Sequence, residues 1–230
     1  MGGRLLVALA VLGSVAIGTA PAGDRASRHL DRIGAEPAPF EATSSAIGPE
    51  LRRRMRGKSW HEGCPVGLGR LRLLELPHWG FDREVHRGRL VVHRHVVDQV
   101  LRAMESLYLE RFPIRRMRLI DTYGGDDRRS MAADNTSAFN CRHVAGEPGV
   151  WSEHAFGKAI DINPVENPYV SLGGSVSPPA GERFVDRSIR ARGMIHSGDS
   201  TVRAFARQGW EWGGNWSPAK DYQHFSASGR

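Results

Sequence analysis

Two stretches of this 230-residue chain hold side chains whose types and spacing could do chemistry. One is Ser152-Glu153-His154-Ala155-Phe156-Gly157-Lys158-Ala159-Ile160-Asp161-Ile162-Asn163-Pro164. The other is Trp210-Glu211-Trp212-Gly213-Gly214-Asn215-Trp216, followed by Asp221-Tyr222-Gln223-His224-Phe225. Two histidines and one carboxylate suffice as the protein ligands of a catalytic zinc, with water in the fourth position. His154, Asp161 and His224 are the candidates for that shell. A hydrolytic zinc site also needs a carboxylate that does not ligate but serves as general base. Asp221 is the candidate, because a turn can place it beside the histidine three residues on. By spacing alone, other readings stay open. A lone His also serves as a satisfied core or surface residue, and an Asp in a strand also pairs with Arg, of which this chain has many.

Such side chains need elements to aim them. Read as a strand, residues 159–163 point Ile160 and Ile162 to one side, the core, and Ala159, Asp161 and Asn163 to the other, a cleft or solvent. Gly157 and Ala159 are small enough for the chain to bend and bring His154 over the same face. In the second stretch Gln223 and Phe225 share one face, which leaves His224 on the other. Residues 90–112 carry Val92, Val96, Val97, Val100, Leu101, Met104, Leu107 and Tyr108 at helical spacing, with Pro113 as the stop. Residues 117–121 alternate like a strand. Asp199-Ser200 begins a helix through Phe205 that Gly209 ends, and Trp210-Glu211-Trp212 reads as a strand with a turn at Gly213-Gly214. Both element types occur without regular strand–helix alternation, which predicts an α+β fold rather than a doubly wound sheet.

Apolar residues make up 40% and charged residues 25% of the chain. This balance excludes full-length disorder and a collagen-like repeat. The formal charge is +7 at pH 7, and Lys58, Lys158 and Lys220 are the only lysines, so the basic residues are nearly all Arg. A basic surface suits an anionic polymer. Arg4, the apolar run from Leu5 to Ile17 and Ala20-Pro21-Ala22 make up a secretory signal peptide over residues 1–22, with cleavage after Ala22. The run is short for a spanning helix, so no membrane span is expected after cleavage. Export disfavours nucleic acid as a partner and favours an anionic wall polymer. Residues 23–50, polar with Pro37, Pro39 and Pro49, read as a linker or arm, and residues 51–230 as one domain, monomeric by default. Cys64 and Cys141 are the only cysteines. An oxidising compartment favours a bridge between them, and two buried thiols are the alternative.

The string S-x-H-x-x-G-x-A-x-D from Ser152 to Asp161, with D-x-x-H from Asp221 to His224 after a Trp-rich strand, resembles the LAS zinc peptidases. That family includes D-Ala-D-Ala carboxypeptidases and dipeptidases and L-alanyl-D-glutamate endopeptidases. Gly63-Cys64-Pro65-Val66, Gly80-Phe81-Asp82, Gly88-Arg89-Leu90-Val91-Val92 and Ser137-Ala138-Phe139-Asn140-Cys141-Arg142 extend the resemblance over roughly residues 60–226. His86 lies in one of these flanks. The resemblance implies a Hedgehog/DD-peptidase-like fold, in which a small antiparallel sheet flanked by helices carries the zinc site. It implies Zn2+ on His154, Asp161 and His224, and Asp221 as the base that takes a proton from the zinc-bound water. Some members carry Glu at that position. Arg142 is implied to polarise the scissile carbonyl, Ser152 to bind substrate, and Tyr222, Trp212 and Gln223 to line the site. The implied activity is cleavage of peptidoglycan stem peptides outside the cytoplasm, by a carboxypeptidase or an endopeptidase. The alternative is a zinc-containing wall-binding or signalling domain of the same fold without catalysis.

Overall fold

The computed structural model describes Met1 and residues 38–229. The chain divides into two units, Met1–Ala38 and Pro39–Arg230. The expected signal peptide and residues 23–37 of the expected arm lie outside the described residues. No helix among the described residues is long and apolar enough to cross a membrane.

The second unit opens on strand β1 (Thr43–Ala46) and helix α1 (Pro49–Met55). Pro49 suits the first turn, where its missing N–H costs nothing, and Glu50 and Arg52–Arg54 match the helix dipole. The expected arm therefore ends earlier than residue 50. β1 is the edge of an antiparallel sheet with β2 (Leu71–Trp79) and β3 (Val85–His93), and Ile47 is buried behind it. Composition alone hid this, because all four β1 side chains are exposed and the strand is held by its backbone.

The expected helix from residue 90 is also corrected. Leu90, Val91 and Val92 belong to β3, and the helix, α2, spans Val97–Leu109. Leu90 and Val92 enter one core and Val91 a second, smaller one on the other face. A strand covered on both faces reads as a continuous apolar run, which helical spacing imitates. Residues 117–121 are not a strand either. The Asn135 side chain receives Arg118 N and donates to Arg118 O, at 2.8 and 3.0 Å, where a partner strand would have bonded. The chain then tightens into a 3-10 turn at Ile120–Tyr123.

Helix α3 (Asp127–Ala132) is capped by the Asp126 carboxylate. A hairpin of β4 (His143–Val144) and β5 (Glu147–Trp151) leads into a 3-10 turn at Glu153–Phe156 and then β6 (Ala159–Asp161). β7 (Tyr169–Val170) and β8 (Val176–Ser177) follow, then α4 (Ser200–Ala206), β9 (Glu211–Trp212), β10 (Lys220–Asp221) and β11 (His224–Ser226). The α+β class is as expected, built from small antiparallel sheets. The sheet that matters has the order β6-β11-β9. Its back, Ile160, Phe225 and Trp212, packs with Met104 and Leu107 of α2 and Phe205 of α4 in the main core. The front is left for chemistry.

Candidate metal centre

The first histidine is positioned by a turn. The Ser152 hydroxyl accepts from His154 N at 3.3 Å and caps the 3-10 turn. Gly157 ends it in the left-handed region, φ 65°, where a Cβ would lie 2.7 Å from His93 N. Glycine is required there by conformation and by space. The chain then reverses into β6. In β6 Asp161 sits between two neighbours, bridging Ser137 on one side and standing directly opposite His224 on the other.

Three buried donors converge. His154 Nε2 lies 3.1 Å from Asp161 Oδ2, His224 Nδ1 lies 3.1 Å from Asp161 Oδ1, and the two nitrogens are 3.2 Å apart. His154, Asp161 and His224 are 2%, 4% and 5% exposed. His154 Nδ1 donates to Ala138 O at 2.6 Å, so Nε2 carries the lone pair into the cluster. A metal held at about 2.0–2.1 Å in a tetrahedron needs ligand atoms about 3.3 Å apart. The donor set and its edges fit zinc. Burial would raise the Asp161 pKa, but the charges and hydrogen bonds of His154 and His224 outweigh it and hold the carboxyl well below the usual carboxylate range. Asp161 is therefore held in the ionised form that a metal ligand needs.

Asp221 stands beside this cluster, at the end of β10. Burial, and then the negative charge of Asp161, push its pKa up to about 6, against the pull of His224, His154 and a Gln223 hydrogen bond. Its Oδ1 is buried without a hydrogen-bond partner. A buried carboxylate oxygen with nothing to accept from suits a water or a metal-held group in front of it. The segment is brought in by Gly213, whose added Cβ would lie 2.6 Å from Asp221 O and 3.3 Å from His224 Cβ. Gly213 was expected as a turn residue, and its stricter role is this close approach.

The other expected site residues divide. The Arg142 guanidinium pairs with Asp127 Oδ2 at 2.9 Å, and its Nε is buried without a partner. Its backbone joins the site, since Arg142 O accepts from Ser152 N. The Ser152 hydroxyl accepts from His154 N as the cap of the 3-10 turn, which leaves its O–H free to donate. Gln223 reaches Asp221 and, at 3.6 Å, the Met131 sulfur. Tyr222 turns to the Arg187 guanidinium, 4.5 Å from its ring. Trp212 is corrected: it is 4% exposed and belongs to the core. It stands directly opposite Phe225, and directly opposed residues share a face, so Trp212 follows Phe225 inward. His86 is not brought to the site and pairs with Asp82 at 2.8 Å. Cys64 and Cys141 are bridged, as favoured, with Cα atoms 5.9 Å apart.

Three contributors escaped the sequence reading. Ala138 orients His154 through its carbonyl, and Asn140 N donates to His154 O at 3.1 Å. Trp216 lies with its ring 5.2 Å from that of His224. Ala138 and Asn140 stood in a recognised flank, but their contribution is backbone, which residue type does not display.

Residues 145–227 match a family model described as D-alanyl-D-alanine carboxypeptidase. No curated protein and no solved structure matches the chain. The matched residues hold His154, Asp161, Asp221 and His224, and over this stretch the chain is similar to that family.

Proposed function

We propose that the protein is an exported zinc peptidase with a Hedgehog/DD-peptidase-like domain, and that it hydrolyses peptide bonds in the peptidoglycan stem peptide. The observation that carries this reading is the convergence of His154 Nε2, Asp161 and His224 Nδ1, at 3.1–3.2 Å from one another, beside a buried and unpartnered Asp221 Oδ1. When bound there, zinc supplies the Lewis acid that makes water a nucleophile at neutral pH. Asp221 takes a proton from the attacking water and hands it to the leaving amine. Its raised pKa suits both halves of that transfer. A bound dication would draw the pKa down again toward a working base. Ala138 O keeps His154 in the ligating tautomer. Arg142 is the oxyanion donor by resemblance, and its Nε is the donor without another partner.

The family description favours removal of a terminal D-Ala over an internal cut. The deciding experiment is mass spectrometry of defined peptidoglycan fragments after incubation with the zinc-loaded protein and with Asp221→Ala. Loss of one D-Ala from the wild-type reaction alone supports the carboxypeptidase. New termini between L-Ala and D-Glu would make it an endopeptidase. No cleavage with zinc bound would move the reading to a non-catalytic domain.

A further inference from the structure

We propose that the end of the β2–β3 hairpin beside α2 is a docking surface for an anionic wall polymer of phosphodiester chemistry, formed by Arg70, Arg94, His95 and Lys158 around the buried His93. This rests on the proposed extracytoplasmic function and names the surface that would hold the enzyme at its substrate.

The cluster is assembled from three separated segments. Leu71, the first residue of β2, pairs with His93, the last of β3, so Arg70 and Arg94 leave the sheet side by side. His93 N donates to Gly157 O at 2.8 Å, which sets Lys158 against the same end. The His95 ring stands edge-on to His93 at 4.7 Å, and Arg94 Nε donates to His95 Nε2 at 3.3 Å. Burial, then the positive charges of His95, Lys158, Arg94 and Arg70, push the His93 pKa down to about 4. Lys158, Arg94 and Arg70 thus stand close enough to act on the same histidine. Among the described residues no carboxylate pairs with Arg70, Arg94 or Lys158. The nearest acids along the chain are Glu75 to Arg70, Asp98, in the first turn of α2, to Arg94, and the buried Asp161 to Lys158.

Arg70, Arg94 and His95 are exposed and Lys158 is half-exposed. Spread, solvated cations suit successive charges of a flexible chain better than one desolvated anion. Lys158 also lies within the stretch from His154 to Asp161. A polymer held here runs beside the segment that carries two of the metal ligands.

The test is binding of the full chain to a synthetic poly(glycerol phosphate), followed at low and at physiological salt. One variant carries Arg70→Gln, Arg94→Gln and Lys158→Gln. A control removes the same charge elsewhere, through the exposed Arg53→Gln, Arg128→Gln and Arg207→Gln. The cluster variant should bind about tenfold or more weakly at low salt and show a flatter salt dependence, while the control stays within about threefold of the wild type. Equal losses in both would mean bulk charge only and would overturn the proposal, as would wild-type binding by the cluster variant. Inorganic phosphate at the same phosphorus concentration should not displace the polymer, and displacement would overturn the polymeric ligand. Thermal melts of both variants check the fold. The readout is binding, so it stands or fails apart from peptide cleavage.

Discussion

Asp161 and His224 are direct cross-strand partners in the antiparallel β6–β11 pair, with Asp161 Oδ1 and His224 Nδ1 3.1 Å apart. Two candidate ligands more than sixty residues apart in the chain are thus set by one backbone register. A one-residue slip of β11 would turn His224 to the face away from Asp161 and dissolve the site. His154 is fastened less directly, through the Gly157 turn and the Ala138 carbonyl. This arrangement makes the site a property of the sheet, and several measurements follow from it.

Replacing Asp161 by Ala should abolish tight zinc binding while leaving most of the fold, because its neighbours are the sheet backbone and two histidines. Metal analysis after dialysis checks this, with an expected stoichiometry falling from one to near zero. Full retention of zinc would remove Asp161 from the shell.

Asp221→Asn should keep the zinc and lose turnover, by about 10²–10⁴-fold if Asp221 is the general base. The paired measurement is zinc content against initial rate on a D-Ala-terminated peptide. A variant that keeps its rate would displace Asp221 from that role.

Gly213→Ala should displace Asp221 and His224, because the new Cβ meets Asp221 O at 2.6 Å, which is backbone and cannot swing away. Overpacking of this kind costs about 1–3 kcal/mol. We expect a lower melting temperature and weaker zinc binding together. Gly214→Ala, whose Cβ meets the Trp212 ring instead, should destabilise the core with less effect on zinc affinity.

The Cys64–Cys141 bridge closes a loop of 77 residues, for which the chain-entropy model gives about 4–5 kcal/mol at most. Cys141 directly follows Asn140 and lies close to Ala138, both bonded to His154. Cys64→Ser with Cys141→Ser should therefore lower both the urea midpoint and the zinc affinity. Unchanged zinc affinity would show that the bridge acts on global stability alone.

Acid should destabilise the metal-free protein through two histidines outside the site. Burial, aided by nearby positive charge, pushes the pKa of His78 and of His93 down from 6.5 to about 4. As pH falls below 6.5 the unfolded chain takes these protons first, so the stability present above pH 6.5 is lost progressively toward about pH 4. Urea midpoints from pH 8 to 4 measure the slope. His78→Asn should flatten it, and an unchanged slope would assign the acid sensitivity to other groups.

The residue types of the candidate site were legible because zinc chemistry restricts the ligands it accepts. His154, Asp161, His224 and Asp221 could be named from spacing and resemblance, and alternation correctly turned Ile160 and Ile162 inward and set His224 on the face opposite Phe225. Helix α4 was legible from Asp199-Ser200 and Gly209, since its start and stop are local. The errors fall where a distant partner decides. Trp212 goes to the core because Phe225 stands opposite it. Leu90 to Val92 form a strand because both of its faces are covered. The extended backbone at Arg118 is bonded by the side chain of Asn135. By itself, the sequence determined the donor set, its order and the local turns, all of which depend on side-chain chemistry and near neighbours. Only the tertiary structure decided the register that brings Asp161 to His224, the carbonyl that sets the His154 tautomer and the acid that holds Arg142. Those depend on backbone groups and burial, which residue identity does not encode position by position.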